Sequence, residues 1–274
     1  MKGGAEPKIE STTWCNGPLK PYLNSNEVHV WVTRLSLVSD NQKEYLKQLL
    51  TENELKKFNR FHFQADKERF LIGRAALKEI LARYLDKTPI SIILEVDEFG
   101  KPYLKEGTLH FNISHSEDIV IFAISHCKTV GIDVEVCQSK VDYLAIARQF
   151  CTAFELNQLS QLPDEKRRLA FYRCWTRKEA FVKAISLGLY FPLSAVEVGF
   201  SSGEAGLHSI SREDLKVNIN EELLEQSYWR MEEINLENNN NSETYKDYIA
   251  TLMVNKAYPK TCYWKWELGK QNYN

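Results

Sequence analysis

Asp133 and Glu135 stand two apart in TVGIDVEVC (129–137), interleaved with Val130, Ile132, Val134 and Val136. Side chains alternate in direction along a strand, so the two carboxylates share one face, about 7 Å apart, and the aliphatic residues share the other. Alternating acids ordinarily mark the solvated face of a strand. Two close carboxylates also repel, however, unless a positive group lies between them, and a hard divalent cation would remove that cost. Gly131 takes away a side chain just before the pair, as happens where a ligand comes close to a strand. In WTRKEAFVK (175–183), Trp175, Glu179 and Lys183 fall at i, i+4 and i+8 on one helix face. The Glu179–Lys183 pair reads either as a surface ion pair worth ~0.3 kcal/mol or as part of a face that Trp175 turns toward protein. Lys178 reads either as a solvated charge or as a neighbour of that site. Three acids and a lysine around one Mg²⁺ would suit a pyrophosphate, because Mg²⁺ binds oxygen through few carboxylates and keeps positions for phosphate and water. Phosphoryl transfer there needs charge neutralisation, in-line positioning and an acceptor for the nucleophile's proton.

The elements that must hold these residues follow from periodicity. A strand is expected at 27–35, then helices starting at Ser39 and Thr51, and a long helix over 65–85 with an apolar stripe at Phe70, Ala76, Leu77, Ile80, Leu81 and Leu85. Short strands follow at 90–96, 108–114 and 118–125, with 98–104 turning between the first two. The acidic strand then opens a second series: helices at 142–150, 152–161 and 164–186, and strands at 195–200, 227–234 and 247–254. The Asn-rich stretch 235–243 reads as a hairpin tip. The order strand, short helices, long helix, antiparallel strands occurs twice, with 28–32 matching 132–136 and 65–85 matching 165–186. The expected fold is therefore α+β, with two pseudo-symmetric lobes from a duplication, each a small, mainly antiparallel sheet packed on a long helix. The boundaries are a lead-in over 1–20, an N-terminal lobe over 21–128 and a C-terminal lobe over 129–274.

Composition narrows the class. The chain of 274 residues is 43% hydrophobic and 26% charged, a globular profile. Its net charge of −2 and lack of a basic stripe disfavour nucleic acid and anionic membranes, so any bound anion must meet a local basic cluster. No run approaches the ~18 apolar residues of a membrane span, and the N-terminus has no apolar signal core. A cytoplasmic protein is expected. The six cysteines form no Cys-x-x-Cys pair and read as reduced, mostly buried thiols, which disfavours zinc.

GIDVE (131–135) followed by WTRKEAFVK (175–183) resembles the signature pair of 4'-phosphopantetheinyl transferases. RFHFQADKERFLIGRAALK (60–78), FGKPYL (99–104) and FNISHS (111–116) are similar to further motifs of that family, in family order. The length looks like the two-lobed surfactin-synthetase type. The resemblance implies transfer of 4'-phosphopantetheine from coenzyme A to a serine of an apo acyl or peptidyl carrier protein, releasing adenosine 3',5'-bisphosphate. It implies that Asp133, Glu135 and Glu179 hold Mg²⁺, with Mn²⁺ as an alternative, and that Glu179 is the base for the carrier serine. Lys183 would neutralise the pyrophosphate, and Asp133 would complete the catalytic set. Lys57, Arg69, Lys101, Ser114, His115, Lys178 and Lys183 match coenzyme A-contacting positions. The resemblance also implies a cleft between lobes as the active site, and a monomer, since the duplication supplies within one chain what half-length relatives build between subunits. The chain departs from the family at Ser186, where a glycine is common, and at Glu54, where some relatives carry a lysine. A binding module without catalysis is the competing class; it would have lost Asp133, Glu179 or Lys183, and all are present. A P-loop hydrolase is disfavoured because no Gly-x-x-x-x-Gly-Lys-Ser/Thr occurs.

Overall fold

The computed structural model describes residues 12–139, 141–200, 206–211, 215, 229–236, 248–255 and 260–268. Most of the lead-in and of the Asn-rich stretch lies outside these residues. The chain forms two compact units, Trp14–Lys128 with Pro259–Asn274, and Thr129–Tyr258. Both combine sheets with helices, an α+β architecture. No helix among the described residues is long and apolar enough to cross a membrane.

The first unit contains β1 (Cys15–Asn16), β2 (Glu27–Arg34), α1 (Asp40–Gln48), α2 (Glu52–Arg60), α3 (Gln64–Leu85), β3 (Leu94–Val96), β4 (Pro102–Leu104), β5 (His110–Ser116) and β6 (Ile119–Ser125). Ser39 and Thr51 start α1 and α2 with capping boxes completed by Gln42 and Glu54, satisfying amides that the first helical turn leaves unbonded. Residues 90–96 are strand only at their end. Pro89, with its fixed φ, opens a 3-10 turn that takes up Pro89–Ser91. The five-stranded sheet runs β1-β12-β2-β6-β5, where β12 is Lys260–Lys265. It is mixed, since β12 lies parallel to both β1 and β2 while β2, β6 and β5 are antiparallel. Its β12 corrects the expected boundary at 129–274, because the chain's last described strand pairs with the first unit. Trp31, Phe111, Phe122 and Trp266 pack with Leu71, Ile72, Leu77 and Ile80 of α3 in one core. Each such side chain contributes roughly 1.5–3 kcal/mol on burial.

The second unit contains β7 (Val130–Val136), α4 (Tyr143–Ala147), α5 (Ala153–Gln161), α6 (Asp164–Ile185), β8 (Val196–Val198), β9 (Leu207–Ile210), β10 (Trp229–Ile234) and β11 (Tyr248–Asn255). Its antiparallel sheet runs β10-β11-β7. Phe171, Cys174, Phe181 and Val182 of α6 pack with Phe150, Phe191, Val196, Met231 and Met253. All six cysteines are free thiols, and three of them, Cys137, Cys151 and Cys174, are buried.

Candidate active site

Gly131 sets the position of α6 on β7. A Cβ there would lie 2.0 Å from the Ala180 carbonyl oxygen and 2.6 Å from the Ala184 amide nitrogen, so only glycine lets the helix backbone come this close. Its missing side chain makes room for the helix, not for a ligand as the sequence suggested. Alternation then turns Asp133 and Glu135 toward α6, while Val130, Ile132 and Val134 are buried on the other face. The acids' face is therefore not the solvated side of a strand.

Asp133 is 3% exposed, and Lys183 of α6 donates to its Oδ1 at 2.6 Å. Glu179 lies one turn before Lys183. Its carboxyl is pushed above the usual carboxylate range, chiefly by burial and next by the negative charge of Asp133, with Lys183 opposing. Asp133, Glu179 and Lys183 thus act on one another across the strand–helix interface. Glu135 stands farther along β7, half-buried, where its charge helps raise the hydroxyl pKa of Tyr172, a group raised first by burial. Trp175 is half-buried, with its ring 4.9 Å from that of Phe150.

Lys178 does not join this group. It is fully buried, and its Nζ donates to the carbonyls of Phe150 (3.1 Å), Leu193 (2.9 Å) and Val196 (2.6 Å) and pairs with Glu155 at 2.6 Å. Adjacent helical residues differ by about 100° in direction, which points Lys178 into the core and away from the face of Glu179. Its expected contact with coenzyme A is thereby corrected to a role in the core.

Among the described residues, the three donor side chains whose atoms all lie within 4.8 Å are Cys151, Glu155 and Cys174, an arrangement that can hold a metal ion. Two of these donors are sulfur, which suits soft ions and not Mg²⁺. Glu155 already accepts from the amides of Thr152 and Val198 as well as from Lys178, and burial holds the Cys174 thiol well above its ordinary pKa. The carboxylates of Asp133, Glu135 and Glu179 stand wider apart, with the Lys183 ammonium against the first. Their oxygen donors are nevertheless of the hard kind that Mg²⁺ takes, and the repulsion between Asp133 and Glu179 is what a divalent cation would relieve.

In the first unit, Lys57, Arg69 and His115 line one pocket of about 270 Å³, together with Phe61, Phe70 and Arg74. Arg69 pairs with Asp66 at 2.8 Å. Ser114 is buried and His115 exposed, because they point to opposite faces of β5, so only His115 reaches this pocket. Lys101 lies between two lining residues, Gly100 and Pro102, without lining the pocket itself. Its amide donates to Asp97 and closes the turn, and its charge, after burial and Lys128, helps lower the pKa of His110. The expected set therefore divides: Lys57, Arg69 and His115 converge, whereas Ser114 and Lys101 do not line their pocket.

Glu54, at a position where some relatives carry a lysine, completes the cap of α2 and pairs with buried Lys78 at 2.9 Å and with Arg74 at 3.5 Å. Sequence reasoning overlooked Arg74. Its signal was available: Phe70, Gly73, Arg74 and Leu77 recur at i, i+3, i+4 and i+7, and all four line the pocket.

Fold and site define a chain with a cationic, aromatic pocket in one unit and a carboxylate–lysine group in the other. Residues 129–251 match the model of the 4'-phosphopantetheinyl transferase superfamily, and residues 38–127 match that of the 4'-phosphopantetheinyl transferase N-terminal region. The 4'-phosphopantetheinyl transferase HetI of Nostoc sp. is 34% identical over 196 residues, covering 70% of this chain and 82% of the relative. The 4'-phosphopantetheinyl transferase psf-1 of Bacillus pumilus is 34% identical, over 61% of this chain and 71% of its own length. The 4'-phosphopantetheinyl transferase Sfp of Bacillus subtilis is 30% identical, over 59% and 71%. The chain belongs to the 4'-phosphopantetheinyl transferase superfamily.

Proposed function

We propose that this chain moves the 4'-phosphopantetheine group of coenzyme A to a serine of an apo acyl or peptidyl carrier protein, with adenosine 3',5'-bisphosphate as the other product. The observation that carries the reading is the juxtaposition of Asp133, Glu179 and Lys183 where α6 crosses β7. The serine oxygen forms a bond to the phosphorus nearer pantetheine, and the bond from that phosphorus to the bridging oxygen of the nucleotide breaks. Glu179 takes the serine proton. Its raised pKa makes it a stronger base than an exposed glutamate, closer to the neutral range where proton transfer is most effective. Lys183 faces the negative charge that collects on the departing phosphate, and Asp133 holds that ammonium in place. Asp133 and Glu179, with Glu135 at the edge, would hold Mg²⁺ or Mn²⁺, which supplies charge neutralisation for the pyrophosphate. Lys57, Arg69 and His115 contribute cations and N–H donors for the phosphates of the nucleotide.

The same proposal takes the two units as copies of one ancestral lobe. Lys78 and Lys178 occupy the same place in two helices of 22 residues starting at Gln64 and Asp164. Each is buried and pairs with the glutamate of the preceding short helix's capping box, Glu54 or Glu155. Each also donates to a carbonyl just before that helix, Leu49 or Phe150. Both long helices end on a left-handed residue, Asp86 or Ser186. Recurrence of one buried network at matching places favours duplication over two unrelated folds, and one chain holding both copies favours a monomer. Free cysteines favour the reducing cytoplasm.

The test is direct. Purified protein, coenzyme A, Mg²⁺ and an apo-carrier are mixed and the carrier is weighed by mass spectrometry. A gain of one phosphopantetheine is expected; no gain across acyl, peptidyl and aryl carriers would favour a binding module.

A further inference from the structure

The face that α6 turns to its sheet carries Thr176, Ala180 and Lys183, at i, i+4 and i+7. The Ala180 carbonyl backs onto Gly131, and Lys183 reaches Asp133. Thr176 has no part in the chemistry described so far. Its hydroxyl oxygen lies 3.0 Å from that of Thr251 on β11, and both residues are fully buried. Thr176 also donates to the carbonyl of Arg173 at 3.4 Å, which leaves its oxygen to accept from Thr251.

Thr251 is no arbitrary point on the sheet. It pairs directly with Asp133 of β7 on one side and with Glu233 of β10 on the other. Residues paired across antiparallel strands project from the same face, so Glu233, Thr251 and Asp133 form one row beneath α6. Every member of the row is bound to that helix. Glu233 pairs with Arg173 at 2.9 Å and Arg177 at 3.0 Å, Thr251 meets Thr176, and Asp133 accepts from Lys183. Glu179 lies between Thr176 and Lys183 along the helix.

The three attachments differ in stiffness. Arginine and lysine side chains have several rotatable bonds and can follow a helix that slides on its sheet. Threonine has one χ1 torsion, restricted by branching at Cβ. A hydrogen bond of 3.0 Å between two such residues is lost once they part by about 0.5 Å, less than the rise of about 1.5 Å per helical residue. Two valines of the same shape would fill the place at nearly the same stability, so what the hydroxyls add is direction.

We propose that the Thr176–Thr251 hydrogen bond is a positioning contact for the transfer reaction, fixing where α6 stands along the sheet and so holding Glu179 and Lys183 at Asp133. The proposal rests on the transferase reading above and deepens it by naming what sets the geometry of that group. Neither threonine acts on the reacting atoms; both act through the acids and Lys183.

The test separates packing from positioning. Thr176→Val leaves the Thr251 hydroxyl buried without an acceptor and should lower Tm by a few degrees. T176V/T251V leaves no hydroxyl stranded and should recover most of that loss. Turnover should not recover with it: kcat of the double variant should stay at least about tenfold below wild type, with KM for coenzyme A within about threefold. Thr251→Ser keeps the hydroxyl and should keep most of kcat. A double variant that regains kcat together with Tm assigns the pair to packing alone and overturns the proposal. Crystal structures of wild type and T176V/T251V read the Asp133–Lys183 contact without any transfer. That contact, now 2.6 Å, should lengthen by about 0.5 Å or more, and an unchanged contact also overturns the proposal. A lengthened contact in the double variant, where wild type itself modifies no carrier, would sink the transferase reading while sustaining the positioning role.

Discussion

Gly131→Ala would put a methyl group 2.0 Å from a backbone oxygen and 2.6 Å from a backbone nitrogen of α6. Ordinary contact begins near 3.4 Å, so β7 and α6 must separate by about 1.4 Å. Both obstructing atoms belong to the main chain, and no change of rotamer relieves the clash. Overpacking a core ordinarily costs about 1–3 kcal/mol, and a backbone obstruction places this variant at the upper end, about 3 kcal/mol. For a unit of this size that is a fall of roughly 10 °C in Tm. The displacement also carries Glu179 and Lys183 away from Asp133, stretching a contact that is now 2.6 Å. Carrier modification should therefore drop by at least about tenfold even below the melting range. Urea denaturation followed by circular dichroism gives the stability, and the mass-spectrometric transfer assay gives the rate. A G131A chain with the wild-type denaturation midpoint and wild-type turnover would refute this account of how strand and helix meet.

Other outcomes follow from the same geometry. Lys178→Met should destabilise by about 3–5 kcal/mol, because it leaves Glu155 charged and buried without its cation. Lys183→Met leaves buried Asp133 without its cation and should also lower Tm, though less because Lys183 itself is partly exposed, and it should cut turnover about a hundredfold or more; thermal melts and initial rates below the melting range read the two effects. Glu179→Gln should raise Tm at pH 7. The folded chain holds the Glu179 proton more tightly than the unfolded chain, so its protonated form adds stability that is complete below the unfolded pKa of about 4.3 and is lost as pH rises through the higher folded value. The gain from E179Q should accordingly vanish in melts near pH 4 and grow toward neutrality. Ser186→Gly should stabilise by about 1 kcal/mol, since Ser186 ends α6 at φ 61°, a conformation that glycine adopts without the strain of a Cβ. His115→Ala should raise KM for coenzyme A, whereas Ser114→Ala, on the opposite face of β5, should not.

The acidic strand and the two long helices were legible because alternation and the 3.6-residue period are local signals. Gly131 was misread because its reason, the backbone of Ala180 and Ala184, lies some fifty residues away, and no strand pattern reveals a helix at van der Waals distance. Lys178 and Lys183 look equivalent as matches to a motif. Helical phase separates them, putting one with Glu179 and the other in the core. The same argument divides Ser114 from His115 by strand alternation. β12 escaped notice because a six-residue aromatic segment carries little periodicity and its parallel partner β2 lies at the far end of the chain. Residues 90–96 show a local rule overriding a pattern, with Pro89 turning the chain before the apolar residues can extend.

The most direct test of the central claim is Mn²⁺ binding followed by electron paramagnetic resonance in the presence of coenzyme A. Wild type should bind one ion per chain, and Asp133→Asn and Glu179→Gln should each weaken it by at least about tenfold while the fold persists. Equal Mn²⁺ affinity in all three proteins would contradict the assignment of these carboxylates as the metal's ligands.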